Sequence, residues 1–212
     1  MPEAKAEILR NLRSALSKQS VPVPMPDMDS SLYVPGDEEP IIEFVKQFTS
    51  RGGIYFYCAD EAELVAELNL LMKDRGYPMT FVWETALLEH LKGISFPVNT
   101  TDTDFMKAEI GITLCECLVS RTGSMLMSSR QQAGRRLGIY PHVHIVVAGS
   151  SQLVPDIKDA LQFIRKKYGD NLPSMISLVG GASRTSDIEK TLVMGAHGPA
   201  ELILFLIDDM AS

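Results

Sequence analysis

The chain has 212 residues, 45% of them hydrophobic, and its 27 acidic against 20 basic side chains give a formal net charge of −7. That length and apolar content predict one large α/β domain more simply than a pair of small ones, while the acidic balance, with no basic stripe, excludes a general nucleic-acid surface. Nowhere does an uninterrupted apolar run reach the length of a bilayer, and the N-terminus lacks a signal-peptide core, so a soluble cytoplasmic protein is expected.

In chain order, Ile8, Leu9, Leu12, Ala15 and Leu16 recur at helical spacing and predict an amphipathic helix within residues 1–18, packed on its own domain or reaching a partner. Residues 19–40 carry five prolines (Pro22, Pro24, Pro26, Pro35, Pro40) among serines and acids and read as an extended linker. The main body, residues 41–212, opens with a helix over 41–50, a turn at Gly52 and Gly53, and a strand, IYFYC, over 54–58. A helix over 60–75 follows, stopped by Gly76, then a strand over 79–83 and a helix over 84–91. This alternation predicts a mainly parallel sheet flanked by helices, because parallel strands need crossover connections. Further on come a short strand near 110–113, an unassigned stretch through Leu118, a turn at Thr122 and Gly123, and a strand over 124–128. A loop holding Arg130, Arg135 and Arg136 ends at Pro141, before a strand over 142–148 and a helix over 155–168.

The stretch from Leu178 to Glu201 concentrates the site-like chemistry. Gly180 and Gly181 follow an apolar run over 175–179 and let the backbone turn sharply against a ligand. Ser183, Arg184 and Thr185 come next, and Ser186 with Glu189 has the spacing of a capping box, predicting a short helix whose free amides suit an anion. Arg184 and Asp187 either pair with each other or present Arg184 as a clamp for a carboxylate or phosphate. His197 and Gly198 lie in a second loop between Gly195 and Pro199, where a histidine can act as acid, base or donor, which makes it the one candidate for a catalytic role. His142 and His144 share a face of a strand, yet no acid converges on them, and structural histidines are the expected account. Cys58, Cys115 and Cys117 are too few for a disulfide framework; Cys115 and Cys117 would share a strand face but lack the further ligands of a closed zinc or iron-sulfur site, so buried inert thiols and no metal are expected. The signatures of a serine hydrolase, a P-loop NTPase and a dinucleotide-binding dehydrogenase are absent.

Ser120–Ser124 (SRTGS), Arg136–Val147 (RLGIYPHVHIVV), Gly181–Glu189 (GASRTSDIE) and Gly195–Pro199 (GAHGP) together resemble the LUD-domain family, over about the whole chain. The resemblance implies an α/β fold like that of the NagB, RpiA and CoA-transferase superfamily. It also implies a part in oxidising L-lactate to pyruvate with two partner proteins, one of which joins an LUD-like domain to iron-sulfur cysteines. This chain has no such cysteines, so clusters are expected on the partners alone. The family usually reads AETGT where this chain has Arg121 in place of the acid, a position similar to the glutamate that attacks the thioester in CoA transferases. An arginine has no nucleophilic oxygen, so covalent chemistry of that kind is disfavoured. Two walls of a small-anion or nucleotide-like pocket are thus expected, one from Arg121, Thr122 and Gly123, the other from Gly180, Gly181, Ser183, Arg184, Thr185, Asp187, His197 and Gly198. The alternatives are a free-standing enzyme acting on a phosphorylated, folate or CoA-type metabolite, and a scaffolding protein; a homo-oligomer stays open.

Overall fold

The structure, a computed structural model, describes residues 2–17, 25, 38–76, 78–185, 193–195 and 197–210. Two compact units divide the chain, Met1–Gly36 and Asp37–Ser212. The first contains helix α1 (Pro2–Ser17). The second runs α2 (Pro40–Ser50), β1 (Ile54–Cys58), α3 (Glu61–Asp74), β2 (Thr80–Phe81), α4 (Thr85–His90), β3 (Ile110–Leu114), β4 (Cys117–Val119), β5 (Ser124–Ser128), β6 (Val143–Gly149), β7 (Leu153–Val154), α5 (Ile157–Tyr168), β8 (Ile176–Val179), β9 (Arg184–Thr185), β10 (Val193–Met194) and β11 (Glu201–Ile207).

Five of these strands form a wholly parallel sheet in the order β1-β11-β6-β3-β2. Its centre is apolar on both faces, as a parallel sheet covered on both sides requires. Along β6 and β11, Ile145, Val147, Ile203 and Phe205 face one layer, where α3 and α4 contribute Leu64, Leu68, Met72 and Leu87. Val146, Ala148, Leu202, Leu204 and Leu206 face the other, against Phe44 and Phe48 of α2. Both phenylalanines are fully buried, which contributes roughly 1.5–3 kcal/mol each. Helix starts are set locally: the Asp60 carboxylate accepts from the Glu63 amide at 2.8 Å ahead of α3, and Asp156 and Asp159 form a reciprocal capping box ahead of α5.

A second, four-stranded sheet was not anticipated. It runs β7-β4-β5-β8, with β4/β5 and β5/β8 antiparallel and β4/β7 parallel. One side completes the core around α2, through Leu118, Met125 and Val179; the other packs on α5, through Cys117, Val119, Leu126, Ala160 and Ile164. The expectation that Cys115 and Cys117 share a face fails. Cys115 falls in the bend between β3 and β4 and enters the α2 layer, while Cys117 faces α5. All three thiols are buried and free, and burial pushes Cys58 up to about 11 and Cys117 up to about 12, which leaves them unreactive thiols at neutral pH.

Arg184 and Thr185, read from sequence as loop, instead pair as a short antiparallel ladder with Met194 and Val193. The expected capping box at Ser186 and Glu189, and Asp187 with it, lie outside the described residues. Among the described residues no helix is long and apolar enough to cross a membrane.

Candidate functional site

The first expected wall is a tight connection between β4 and β5. Ser120–Thr122 make one turn of 3-10 helix and Gly123 follows at φ 53°, a conformation that favours glycine. A Cβ on Gly123 would run into the backbone of Gln47 and Phe48, so α2 lies directly against it. Arg121 points away from that contact. Its guanidinium meets Asp156, the cap of α5, at 2.7 Å, and this hydrogen bond is the main reason the Asp156 carboxyl is held below its usual value. The place taken by an acid in the family pattern thus holds a cation bound to a helix cap. The Thr122 and Ser124 hydroxyls are 2.5 Å apart.

The second wall meets the first through Arg51, a residue that the sequence reading passed over. Its guanidinium donates to the Thr122 carbonyl, while its own carbonyl accepts from the Arg184 guanidinium. Gly180 and Gly181 run alongside: a Cβ on Gly180 would stand 3.3 Å from both Arg51 Nη1 and Ser124 Cβ, and one on Gly181 2.9 Å from the Arg51 carbonyl oxygen. The RGG turn between α2 and β1 therefore clamps Thr122, Gly123, Gly180, Gly181 and Arg184 into one assembly. The signal that could have found it is an arginine directly ahead of a glycine pair, at a helix end whose last carbonyls need donors.

His197 and Gly198 sit in a different neighbourhood, reached through Ser183. The Ser183 amide donates to the Pro199 carbonyl at 2.8 Å, the Gly195 amide donates to the Ser183 carbonyl at 2.9 Å, and a Cβ on Gly198 would lie 3.3 Å from Ser183 Cβ. This folds the loop back over a cavity of about 550 Å³ lined by Gly195, His197, Gly198, Arg135, Arg136 and the aromatic pair Phe105 and Tyr140, among others. The cavity lies at the amino ends of β3, β6 and β11. Arg136 is held over the rings of Trp83 and Phe105 at 5.3 and 5.2 Å, and Arg135 donates to the Ser174 hydroxyl at 2.5 Å. Two guanidinium groups, an exposed imidazole and the exposed Tyr140 ring offer charge and flat apolar surface to an anion with a planar part, while Phe105 is buried beneath Arg136.

Two buried acids were missed. Glu84, the residue just ahead of α4, is 4% exposed and accepts from the Leu114 amide at 2.6 Å. Burial pushes its carboxyl up to about 7, the amide bond opposing and the charge on Glu116 adding to the rise. Glu116, 2% exposed, collects the Ser128 hydroxyl at 2.5 Å, the Tyr168 hydroxyl at 2.7 Å and the Lys167 ammonium at 2.7 Å. Burial alone would raise its carboxyl, but these donors outweigh it and hold Glu116 below the usual range. An acid inside an apolar strand run, as in CECLV, is the sequence signal for such a residue. His144 is fully buried with Nε2 2.8 Å from the Thr113 hydroxyl, and burial lowers it to about 4. His142 precedes β6 and is exposed. Among the described residues no group of three His, Cys, Asp or Glu side chains is placed to hold a metal ion.

The model of the LUD domain matches residues 41–207 of this chain. The chain belongs to the LUD domain family. Relatives of this LUD domain include lactate utilization protein C 1 of Bacillus mycoides, 29% identical over 136 residues, which is 63% of this chain and 58% of the relative. Lactate utilization protein C of Bacillus subtilis is 30% identical over 146 residues, 66% of this chain and 56% of the relative. That of Bacillus licheniformis is 33% identical over 105 residues, 49% and 44% of the two chains. The LUD chain thus spans about half the length of the curated relatives it matches. Among solved structures, a DUF162 family protein from Deinococcus radiodurans superposes with a TM-score of 0.60 at 19% identity, covering 79% of this chain and 96% of that one. The likeness shows a shared fold.

Proposed function

We propose that this LUD domain is a cluster-free, non-redox subunit of a cytoplasmic L-lactate utilization system, working beside iron-sulfur partner proteins and holding a small anionic or nucleotide-like ligand. The pathway rests on the relatives called lactate utilization protein C. The ligand site rests on one observation: His197 and Gly198 of the C-terminal loop and Arg135 and Arg136 of the loop before β6 line one cavity. In it Arg135 and Arg136 pair with the charge, His197 donates to it, and the exposed Tyr140 ring covers the ligand's apolar part. The assembly of Arg51, Thr122, Gly123, Gly180, Gly181 and Arg184 supports the loop through Ser183 and Thr185, while Arg121 is engaged with Asp156 at the start of α5.

The test is L-lactate-dependent reduction of an acceptor dye by the assembled system containing the wild-type chain or the double variant Arg135→Ala/His197→Ala. Both side chains are on exposed residues, so the fold should survive their loss. A fall of roughly tenfold or more is expected, the scale on which removal of charged hydrogen bonds acts. An unchanged rate at equal subunit concentration would remove this cavity from the account.

A further inference from the structure

Strand β8 ends the second sheet. Among the described residues it pairs with β5 alone, antiparallel, as the last member of the order β7-β4-β5-β8. Its burial agrees with that place: none of Ile176–Val179 is buried, whereas every residue of β4 is. In the ladder Leu178 stands opposite Leu126, which faces α5, so Ile176 and Leu178 share that face. Helix α5 packs over β4 and β7, and the two side chains are left 38% and 42% exposed. Edge strands are ordinarily guarded by a lysine, a proline, an inward charge or a bulge, because their unpaired amides and carbonyls otherwise template another strand. No such guard stands in β8: it holds neither charge nor proline, its register with β5 runs without a bulge, and residues 171–183 carry no charged side chain.

We infer that β8 is a homodimer surface, pairing antiparallel with β8 of a second copy about a two-fold axis at Ser177, so that two four-stranded sheets become one of eight strands. The faces fix the parity of the register. A two-fold axis perpendicular to the sheet brings like faces together, so residues directly opposite each other differ by an even number. The register centred on Ser177 sets Ile176 against the partner subunit's Leu178 and Met175 against the partner subunit's Val179, and apolar cross-strand pairs of this kind are the unit of sheet stabilisation. Centring on Leu178 would set Ile176 against a glycine, the partner subunit's Gly180, and centring on Ile176 would set Leu178 against a serine, the partner subunit's Ser174. Charge favours the same strip. Two chains of net charge −7 repel each other, and an uncharged edge is where they close without like charges standing opposite. A strand of four residues makes a small contact, and interfaces well below ~800 Å² a partner are the weak ones, so dimerisation in the micromolar range is expected.

The experiment is sedimentation equilibrium of the full chain from ~1 to ~300 µM, joined to disulfide trapping of cysteine variants. The wild type is expected to pass from one chain mass to two across that range. Leu178→Lys puts a charge on the open face of the strip and is expected to weaken dimerisation about tenfold or more, with the circular dichroism of the wild type retained. Should this variant not fold, Ile176→Lys is expected to act in the same way. Ser177→Cys brings two thiols to the axis, where opposed Cα atoms stand about 4.5–5.5 Å apart, within disulfide reach, and mild oxidation is expected to link the chains. Ser174→Cys, off the axis, is expected to leave them unlinked, and the native thiols, buried and free, stay out of the reaction. A wild type that remains monomeric at the top of the range, a folded Leu178→Lys or Ile176→Lys chain that dimerises as tightly as the wild type, or Ser177→Cys linking no more readily than Ser174→Cys would each overturn the assignment.

Discussion

Glu84→Gln is expected to stabilise the protein at pH 8 relative to pH 5, by about 2 kcal/mol in the difference between variant and wild type. The wild-type carboxyl is raised from 4.5 to about 7 in the fold, chiefly by burial. Below pH 4.5 it is protonated folded and unfolded alike, and pH has no lever on it. As pH rises from 4.5 to 7 the unfolded chain releases its proton while the folded one holds it, so stability falls, and above 7 the loss is complete at roughly 3 kcal/mol. Glutamine keeps the acceptor for the Leu114 amide and removes the titration. His144 acts the other way: lowered by burial from 6.5 to about 4, it contributes fully above pH 6.5 and its contribution is lost as pH falls towards 4. The two slopes oppose each other in the wild type, which is why the comparison needs the variant; His144 is common to both chains and cancels. Chemical denaturation at the two pH values measures it, and an identical difference at both would show that Glu84 is ionised in the fold.

Gly123→Ala is expected to lower stability by about 3 kcal/mol or more and the thermal midpoint by roughly 6–12 °C for a domain of this size. Two costs add. The backbone sits at φ 53°, where a Cβ costs about 1–2 kcal/mol, and the added methyl meets the backbone of Gln47 and Phe48 rather than a side chain that could swing aside, an overpacking of about 1–3 kcal/mol. Calorimetry checks it; a midpoint within a degree of the wild type's would contradict the close approach of α2. The outcome also bears on function, since any activity lost with Gly123 is then a loss of fold before it is a loss of ligand contact.

Much of the parallel sheet was legible because its strands are apolar runs separated by helical periodicity: IYFYC and HVHIVVA stand out without help. The second sheet was not. β4 and β7 have three and two residues, too short for any period, and pairing between β5 and β8 joins segments about fifty residues apart with nothing local to mark it. The bend at Glu116 hid itself for the same reason: the stretch through Leu118 stayed unassigned from sequence, and only the buried acid in it, with partners on α5, signals that the chain turns. In the candidate site, glycines, hydroxyls and Arg184 were legible as types, while their grouping depended on Arg51, whose part is set by where a helix ends in space. His197 and Arg136 stood in separate loops, and only the parallel order of β6 and β11 puts the loops ahead of those strands side by side.

The most direct measurement is the rate at which purified iron-sulfur partner proteins of an L-lactate utilization system reduce an acceptor dye on L-lactate, with and without this chain. A rate that rises several-fold on adding the chain and saturates at a fixed subunit ratio is the predicted result. Equal rates with and without it would contradict the subunit role.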